Sequence, residues 1–134
     1  MVLLVATLSA RAQFGEPDFD AKYATDLIKP GTVAPDFKMK TIDGKTFQLS
    51  KLKGKTVVLD FWASWCPDCR KDAPEVVRMH QEYGPQGVEF VGVSMDTDVA
   101  AWRKACQQFG IDYTQVSELK KFKETDIAKT YGVK

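Results

Sequence analysis

Residues 57–62, Val-Val-Leu-Asp-Phe-Trp, form a short apolar run rich in β-branched and aromatic side chains. Because it does not alternate, the run reads as a buried strand of a parallel sheet, covered on both faces and central to the fold. Residues 88–94, Val-Glu-Phe-Val-Gly-Val-Ser, are a second run of the same kind. Between them Ala73, Val76, Val77, His80 and Tyr83 recur at helical spacing up to Gly84-Pro85, a strong stop. Strand, helix and strand make a βαβ unit with a right-handed crossover. Pro74 falls inside the helix and is expected to kink it.

The flanking pattern is weaker but readable. Between Lys38 and Leu49, Asp43-Gly44 separates two short runs, and Asp-Gly supplies the positive φ of a tight hairpin turn. Ser50 to Lys55 reads as a turn or one-turn helix leading into the central strand. Asp96, Thr97 and Asp98 offer N-caps to a helix whose Val99, Trp102, Cys106 and Phe109 share one face, closing at Gly110. Residues 111–116 read as a short extended piece, and 126–131 as a short helix stopped by Gly132-Val133.

The first twelve residues differ from the rest. An apolar run, Val2 to Leu8, closes on Ala10-Arg11-Ala12, an A-x-A pattern suited to cleavage before Gln13, so residues 1–12 read as a secretory signal peptide lacking a basic start. The run is far shorter than the roughly 20 residues a bilayer needs, so no membrane span is expected. Residues 13–30 mix Gly, Pro, Asp and aromatics without a period and read as a linker or extension, with a short helical piece at 21–28. Residues 31–134 then form one domain.

Composition adds little beyond an ordinary core. The chain has 134 residues, 44% of them apolar, and a formal net charge of +1. Such a balance gives no electrostatic footprint for nucleic acid or an anionic membrane. Lys120-Lys121-Phe122-Lys123 reads as a solvated face.

The chemistry concentrates at Trp65-Cys66-Pro67-Asp68-Cys69, directly after the first strand. Three cysteines are too few for a disulfide framework, and a C-x-x-C beside a βα junction reads as a redox motif. Pro67 suits the first turn of a helix, where its missing N–H loses no bond. Cys66 is therefore placed at a helix N-terminus, where unpaired amides and the helix dipole favour the thiolate, the form that attacks disulfides. Cys69, one helical turn on, lies within disulfide reach, is expected to be more shielded, and is the candidate resolving thiol.

Other residues tempt and fall away. His80 lies fourteen positions beyond Cys66, roughly 20 Å along a helix, too far to be its base. It reads as a structural, partly buried histidine. Cys106 sits on an apolar stripe and behaves as a small hydrophobe. A zinc site needs a second pair of ligands, and the chain offers only His80 and Cys106 beyond the motif, so no metal is expected.

The run from Val57 to Arg70, with Pro74 five residues after the second cysteine, resembles the thioredoxin superfamily. Ala34-Pro35-Asp36-Phe37, Asp43-Gly44-Lys45 and Leu49-Ser50 narrow this. Together they are similar to exported TlpA/ResA-like thiol-disulfide oxidoreductases, grouped with the AhpC/TSA redoxins. The resemblance implies an α/β class, thioredoxin-like three-layer α/β/α fold with a central mixed sheet and an N-terminal β-hairpin. It implies that Cys66 attacks, that Cys69 resolves, and that Trp65, flanked by Pro67 and Asp68, shapes the surface receiving the partner. Asp60 falls where thioredoxins keep a buried carboxylate beneath the resolving cysteine, suited to accept the Cys69 proton.

Implied partners are protein disulfides or dithiols and an upstream thiol reductant, with no cofactor, in an oxidising, periplasmic compartment. Asp68 places a negative charge between the cysteines and opposes the Cys66 thiolate, which favours a reductant over an oxidant. The resemblance also implies that the chain stops at Lys134, before a cis-proline loop, the last strands and the final helix, leaving a sheet edge without a partner. Two alternatives stay open. A peroxiredoxin-like peroxidase shares Ala-Pro-Asp-Phe but places Thr or Ser three residues before its nucleophile, where this chain has Ala63. The other is a redox-inactive binding module of thioredoxin fold.

Overall fold

The computed structural model describes residues 25–134, so the expected signal peptide at 1–12 and most of the extension lie outside the described residues. Residues 25–27 form a turn, not the end of the expected helical piece. No helix among the described residues is long and apolar enough to cross a membrane.

Strands β1 (Lys38–Thr41) and β2 (Thr46–Gln48) form the N-terminal hairpin, with Met39 opposite Phe47. Gly44 takes a φ of 81° at its tip, the conformation the Asp-Gly pair supplies without a Cβ clash. A single 3-10 turn at Leu49–Leu52 leads into β3 (Thr56–Trp62), which feeds helix α1 (Pro67–Tyr83). Then follow β4 (Val88–Ser94), α2 (Val99–Phe109), β5 (Thr114–Ser117) and α3 (Asp126–Tyr131). Helix α1 is continuous through Pro74.

The strand order is β2-β1-β5-β4-β3, with β3, β4 and β5 parallel and β1 antiparallel to both its neighbours. This is the expected mixed sheet, but the expected central place of residues 57–62 is corrected. Among the described residues β3 is the outer strand, paired only with β4, and Val57 to Phe61 are half-buried. The fully enclosed strand is β4, where Phe90 to Ser94 are all buried. An apolar run reports that both faces of a strand meet apolar neighbours; how many strands flank it is set by long-range pairing, which leaves no local trace.

Side-chain alternation builds the three layers. Val57, Leu59 and Phe61 of β3 join Val91, Val93 and Val116 against Ile127, Ala128 and Tyr131 of α3. Val58 and Trp62 point to the other face, with Phe90, against Val76 and Val77 of α1 and Trp102, Ala105 and Cys106 of α2. Fully buried side chains such as Val91, Val93, Val116, Ile127 and Phe90 each contribute about 1.5–3 kcal/mol. Within the second layer the Gln115 side-chain oxygen accepts from the indole N–H groups of Trp62 at 2.9 Å and Trp102 at 3.4 Å. Gly92 makes room for that bridge, since a Cβ at 92 would lie 2.2 Å from the Gln115 amide nitrogen. The bridge fixes Trp62, the last residue of β3, and so the point from which the cysteine loop departs.

Candidate active site

All three parallel strands end at the same edge of the sheet, and the cysteine motif sits on it. Cys66 is the N-cap of α1, with extended backbone (φ −84°, ψ 114°) and Pro67 at the first helical position. Its amide donates to the Ala63 carbonyl at 3.2 Å, and its carbonyl accepts the first helical bond, from Arg70 N at 3.0 Å. The Cys69 amide points at the Cys66 sulfur, N to Sγ 3.3 Å, so a free N–H of the first turn is aimed at the atom where thiolate charge would reside.

Cys66 and Cys69 are joined as a disulfide, with Cα atoms 5.3 Å apart, inside the usual range for such a bridge. Both residues are half-buried, so the expected contrast in shielding does not appear at the level of whole residues. They differ in surroundings. Cys66 packs against the layer containing α3, and Cys69 against the layer containing α2.

Trp65 is 61% exposed, an apolar plane left in solvent immediately before Cys66. Pro67 and Asp68 are also exposed. Asp68 lies in the first turn of α1, where a negative charge suits the helix dipole and solvent weakens its reach toward the sulfur.

Asp60 alternates with Val58 and Trp62 and so faces the same layer as Cys69. Its carboxyl is held above the usual range chiefly by burial; a bond from the Tyr113 hydroxyl, 3.5 Å away, pulls it down and nearby Asp72 pushes it up. Tyr113 is itself buried and its phenol is raised, by burial first and then by Asp60. No strand-end aspartate facing solvent would carry that pattern.

Cys106 is a free, buried thiol pushed up to about 11, by burial first and then by the charge of Asp96, so at neutral pH it stays protonated. His80 packs edge-on against Phe90 and tilted against Tyr113, ring centroids 5.3 and 5.1 Å away, with Nδ1 3.3 Å from the Asp112 carboxylate. Both match their structural readings.

Several residues contribute to the site in ways that the sequence does not signal. Arg70 donates from Nη1 to the Ser64 carbonyl at 3.2 Å, its guanidinium 5.6 Å from the Phe109 ring centroid, and so ties the cysteine loop to α2. Asp96 lies beneath the loop. It is not a helix cap: Asp98 caps α2, accepting from Ala100 N at 2.9 Å, and Asp96 is turned inward toward Ser64 and Ser94. Tyr113 is 53 positions from Asp60, and only the pairing of strands brings them together.

Against known proteins, residues 30–134 match the model of the AhpC/TSA family. The chain is 35% identical over 91 residues to the thiol-disulfide oxidoreductase ResA of Bacillus subtilis, covering 68% of this chain and 51% of that protein. ResA of Bacillus anthracis is 33% identical over 108 residues, covering 81% and 60%. The chain thus spans about half to three fifths of the length of these curated relatives. Among solved structures, the thioredoxin domain of a thiol-disulfide oxidoreductase from Bacteroides vulgatus superposes with a TM-score of 0.71 at 30% identity, covering 80% of this chain and 76% of that one. A protein described as thiol:disulfide interchange protein DsbE, from Chlorobium tepidum, gives 0.70 at 32%, covering 80% and 72%. The layers, the cysteine pair at the helix mouth and the family match together place the chain: it belongs to the AhpC/TSA family and has the thioredoxin fold.

Proposed function

We propose that this chain carries the reactive centre of a thiol-disulfide oxidoreductase that reduces protein disulfides. The observation that carries the reading is the Cys69 amide aimed at the Cys66 sulfur at the start of α1, a setting that favours a thiolate at residue 66. The Cys66 thiolate attacks one sulfur of a substrate disulfide, forms a mixed disulfide and releases the other sulfur as a thiolate. Cys69, having lost its proton, attacks the Cys66 sulfur; the Cys66–Cys69 disulfide forms and the second substrate thiol leaves. The substrate gains two electrons and the chain loses two, ending in the bonded pair that the structure displays. An upstream thiol reductant restores the dithiol, and no cofactor enters.

Trp65, Pro67 and Asp68 are exposed beside the sulfurs and form the proposed landing surface for substrate. The relatives named for disulfide exchange support this chemistry, and the proposed setting is exported and periplasmic, where substrate disulfides persist. The direct test is reduction of insulin disulfides under a dithiol reductant, set beside consumption of hydrogen peroxide. Faster turnover of the protein disulfide supports the proposal. Faster turnover of peroxide would favour the peroxidase alternative, and neither activity would favour a redox-inactive module.

Asp60 is the proposed acceptor of the Cys69 proton, directly or through water. Its folded value is raised above the unfolded one, so the stability tied to its protonated form is complete below about pH 3.9 and is lost as pH rises through the raised value. At neutral pH the buried charge is then a net cost. Asp60→Asn is expected to raise the midpoint of chemical denaturation at pH 7, with the gain disappearing below about pH 3.9. The same variant is expected to slow resolution of the mixed disulfide on the order of tenfold or more and to flatten its pH dependence. An unchanged resolution rate and profile would remove Asp60 from the mechanism.

A further inference from the structure

Asp96 is 2% exposed, and no lysine or arginine forms a salt bridge with it among the described residues. A buried carboxylate without a cation is costly, and it persists where hydrogen bonds satisfy its oxygens. Here the donors come from two places. The Ser64 amide donates at 3.0 Å to Oδ2, and the Ser64 hydroxyl donates to Oδ1. The Ser94 hydroxyl donates to Oδ2 at 2.7 Å.

The backbone around Asp96 is fixed as firmly. The Met95 amide donates to the Trp62 carbonyl at 2.8 Å, tying the end of β4 to the end of β3. The Ser117 hydroxyl, at the end of β5, donates to the Ser94 carbonyl at 2.8 Å and lies 3.3 Å from the Asp96 carbonyl. Asp96 therefore stands where three strand ends are laced together. From there its side chain reaches one loop residue, Ser64, two positions before Cys66, while Arg70 holds the Ser64 carbonyl from the other side.

From this geometry we infer that Asp96 is a positioning residue for Cys66: acting through Ser64, it holds loop 63–66 so that the residue 66 sulfur stays over the first-turn amide of α1. The inference rests on the reading of Cys66 as the nucleophile. A polar group whose only task was to close the core would need no charge and no bond to the cysteine loop. An ionised carboxylate offers two strong acceptors, enough for the Ser64 amide and hydroxyl together, and bonds to a charged group are stronger than neutral ones. Cys106 on α2, which feels the Asp96 charge, and Asp68, Cys69 and Arg70 on α1 are the other titratable or charged groups nearby, and none of them bonds to the Ser64 amide.

The test compares Asp96→Asn with Asp96→Ala, which lose the same charge. Asparagine keeps an oxygen for the Ser64 amide, and the serine hydroxyls can turn to accept from its NH2; alanine keeps neither. The reduced protein is alkylated with iodoacetamide across pH, and modification at residue 66 is quantified by peptide mass spectrometry, with thermal unfolding recorded alongside. Asp96→Ala is expected to alkylate about fivefold more slowly at pH 7 than Asp96→Asn, with a higher pH midpoint, as the loss of about one net hydrogen bond dictates. Equal rates and midpoints in two folded variants would overturn the inference. Should Asp96→Ala fail to fold, Ser64→Ala serves against the wild type, since both keep the charge: about twofold slower alkylation supports the inference and identity overturns it. A wild-type Cys66 no more reactive than free cysteine would instead defeat the oxidoreductase reading.

Discussion

Cys66→Ser is expected to reduce insulin-disulfide turnover to the uncatalysed level, whereas Cys69→Ser is expected to keep the first attack and stall as a mixed disulfide. The asymmetry follows from the helix mouth. Residue 66 is the N-cap with an amide aimed at its sulfur, and residue 69 lies inside the first turn as the source of that amide. A serine hydroxyl at 66 has no accessible anion near neutral pH, and the helix end cannot make one. Non-reducing electrophoresis of Cys69→Ser mixed with substrate should show a covalent adduct that thiol reductant dissolves. Equal residual activity in the two variants, or an adduct formed through residue 69 in Cys66→Ser, would reverse the assigned roles.

Trp102→Ala is expected to lower stability by about 3–5 kcal/mol, a large share of the roughly 5–15 kcal/mol available to a domain. Trp102 is 2% exposed at the centre of the layer between α2 and the sheet, and its indole shares the Gln115 oxygen with Trp62. Removing it opens a cavity and leaves the bridge held by Trp62 alone. Because Trp62 ends β3 and the cysteine loop begins at Ala63, the loosened core lies directly behind the reactive loop. Urea denaturation followed by far-ultraviolet circular dichroism measures the loss. A change below about 1 kcal/mol would mean that this layer collapses around the gap and contributes little to holding β3.

The parts of this molecule legible in the sequence are those fixed by neighbouring residues. Pro67 after Cys66 marks the helix start, Asp43-Gly44 marks the hairpin, and the stripe of Val99, Trp102, Cys106 and Phe109 placed Cys106 in the core, where it is found. Among the described residues β3 lies at an edge of the sheet, which its apolar run does not signal because apolar content cannot count hydrogen-bonded neighbours. Asp96 differs from its expected capping role for a related reason. Asp96 and Asp98 look alike as cap candidates, and only the direction of each side chain, set by the end of β4, separates a cap from a buried anchor. Tyr113 as the partner of Asp60 depends on a pairing 53 residues distant, and no local signal carries it. Arg70 was read as part of a motif, but its bond to Ser64 and its place beside Phe109 need the packing of α1 on α2.

The same contrast separates the helix start from the packing behind it. A strand, a turn and a proline-started helix suffice to expose first-turn amides to a sulfur, and all lie within fifteen residues of sequence, 56 to 70. The contacts behind the loop are long-range: Asp96 accepts from the Ser64 amide, Tyr113 bonds Asp60, Gln115 bridges to Trp62 and Phe109 lies beside Arg70, and only the sheet and the second helix bring these pairs together. Mutations among them are therefore expected to tune the centre without abolishing it.

The central claim is that the start of α1 stabilises a thiolate at residue 66, and the rate of iodoacetamide alkylation of reduced Cys66 against pH measures it most directly. The account predicts a midpoint clearly below the value of about 8.5 for free cysteine. A midpoint at or above that value would contradict it.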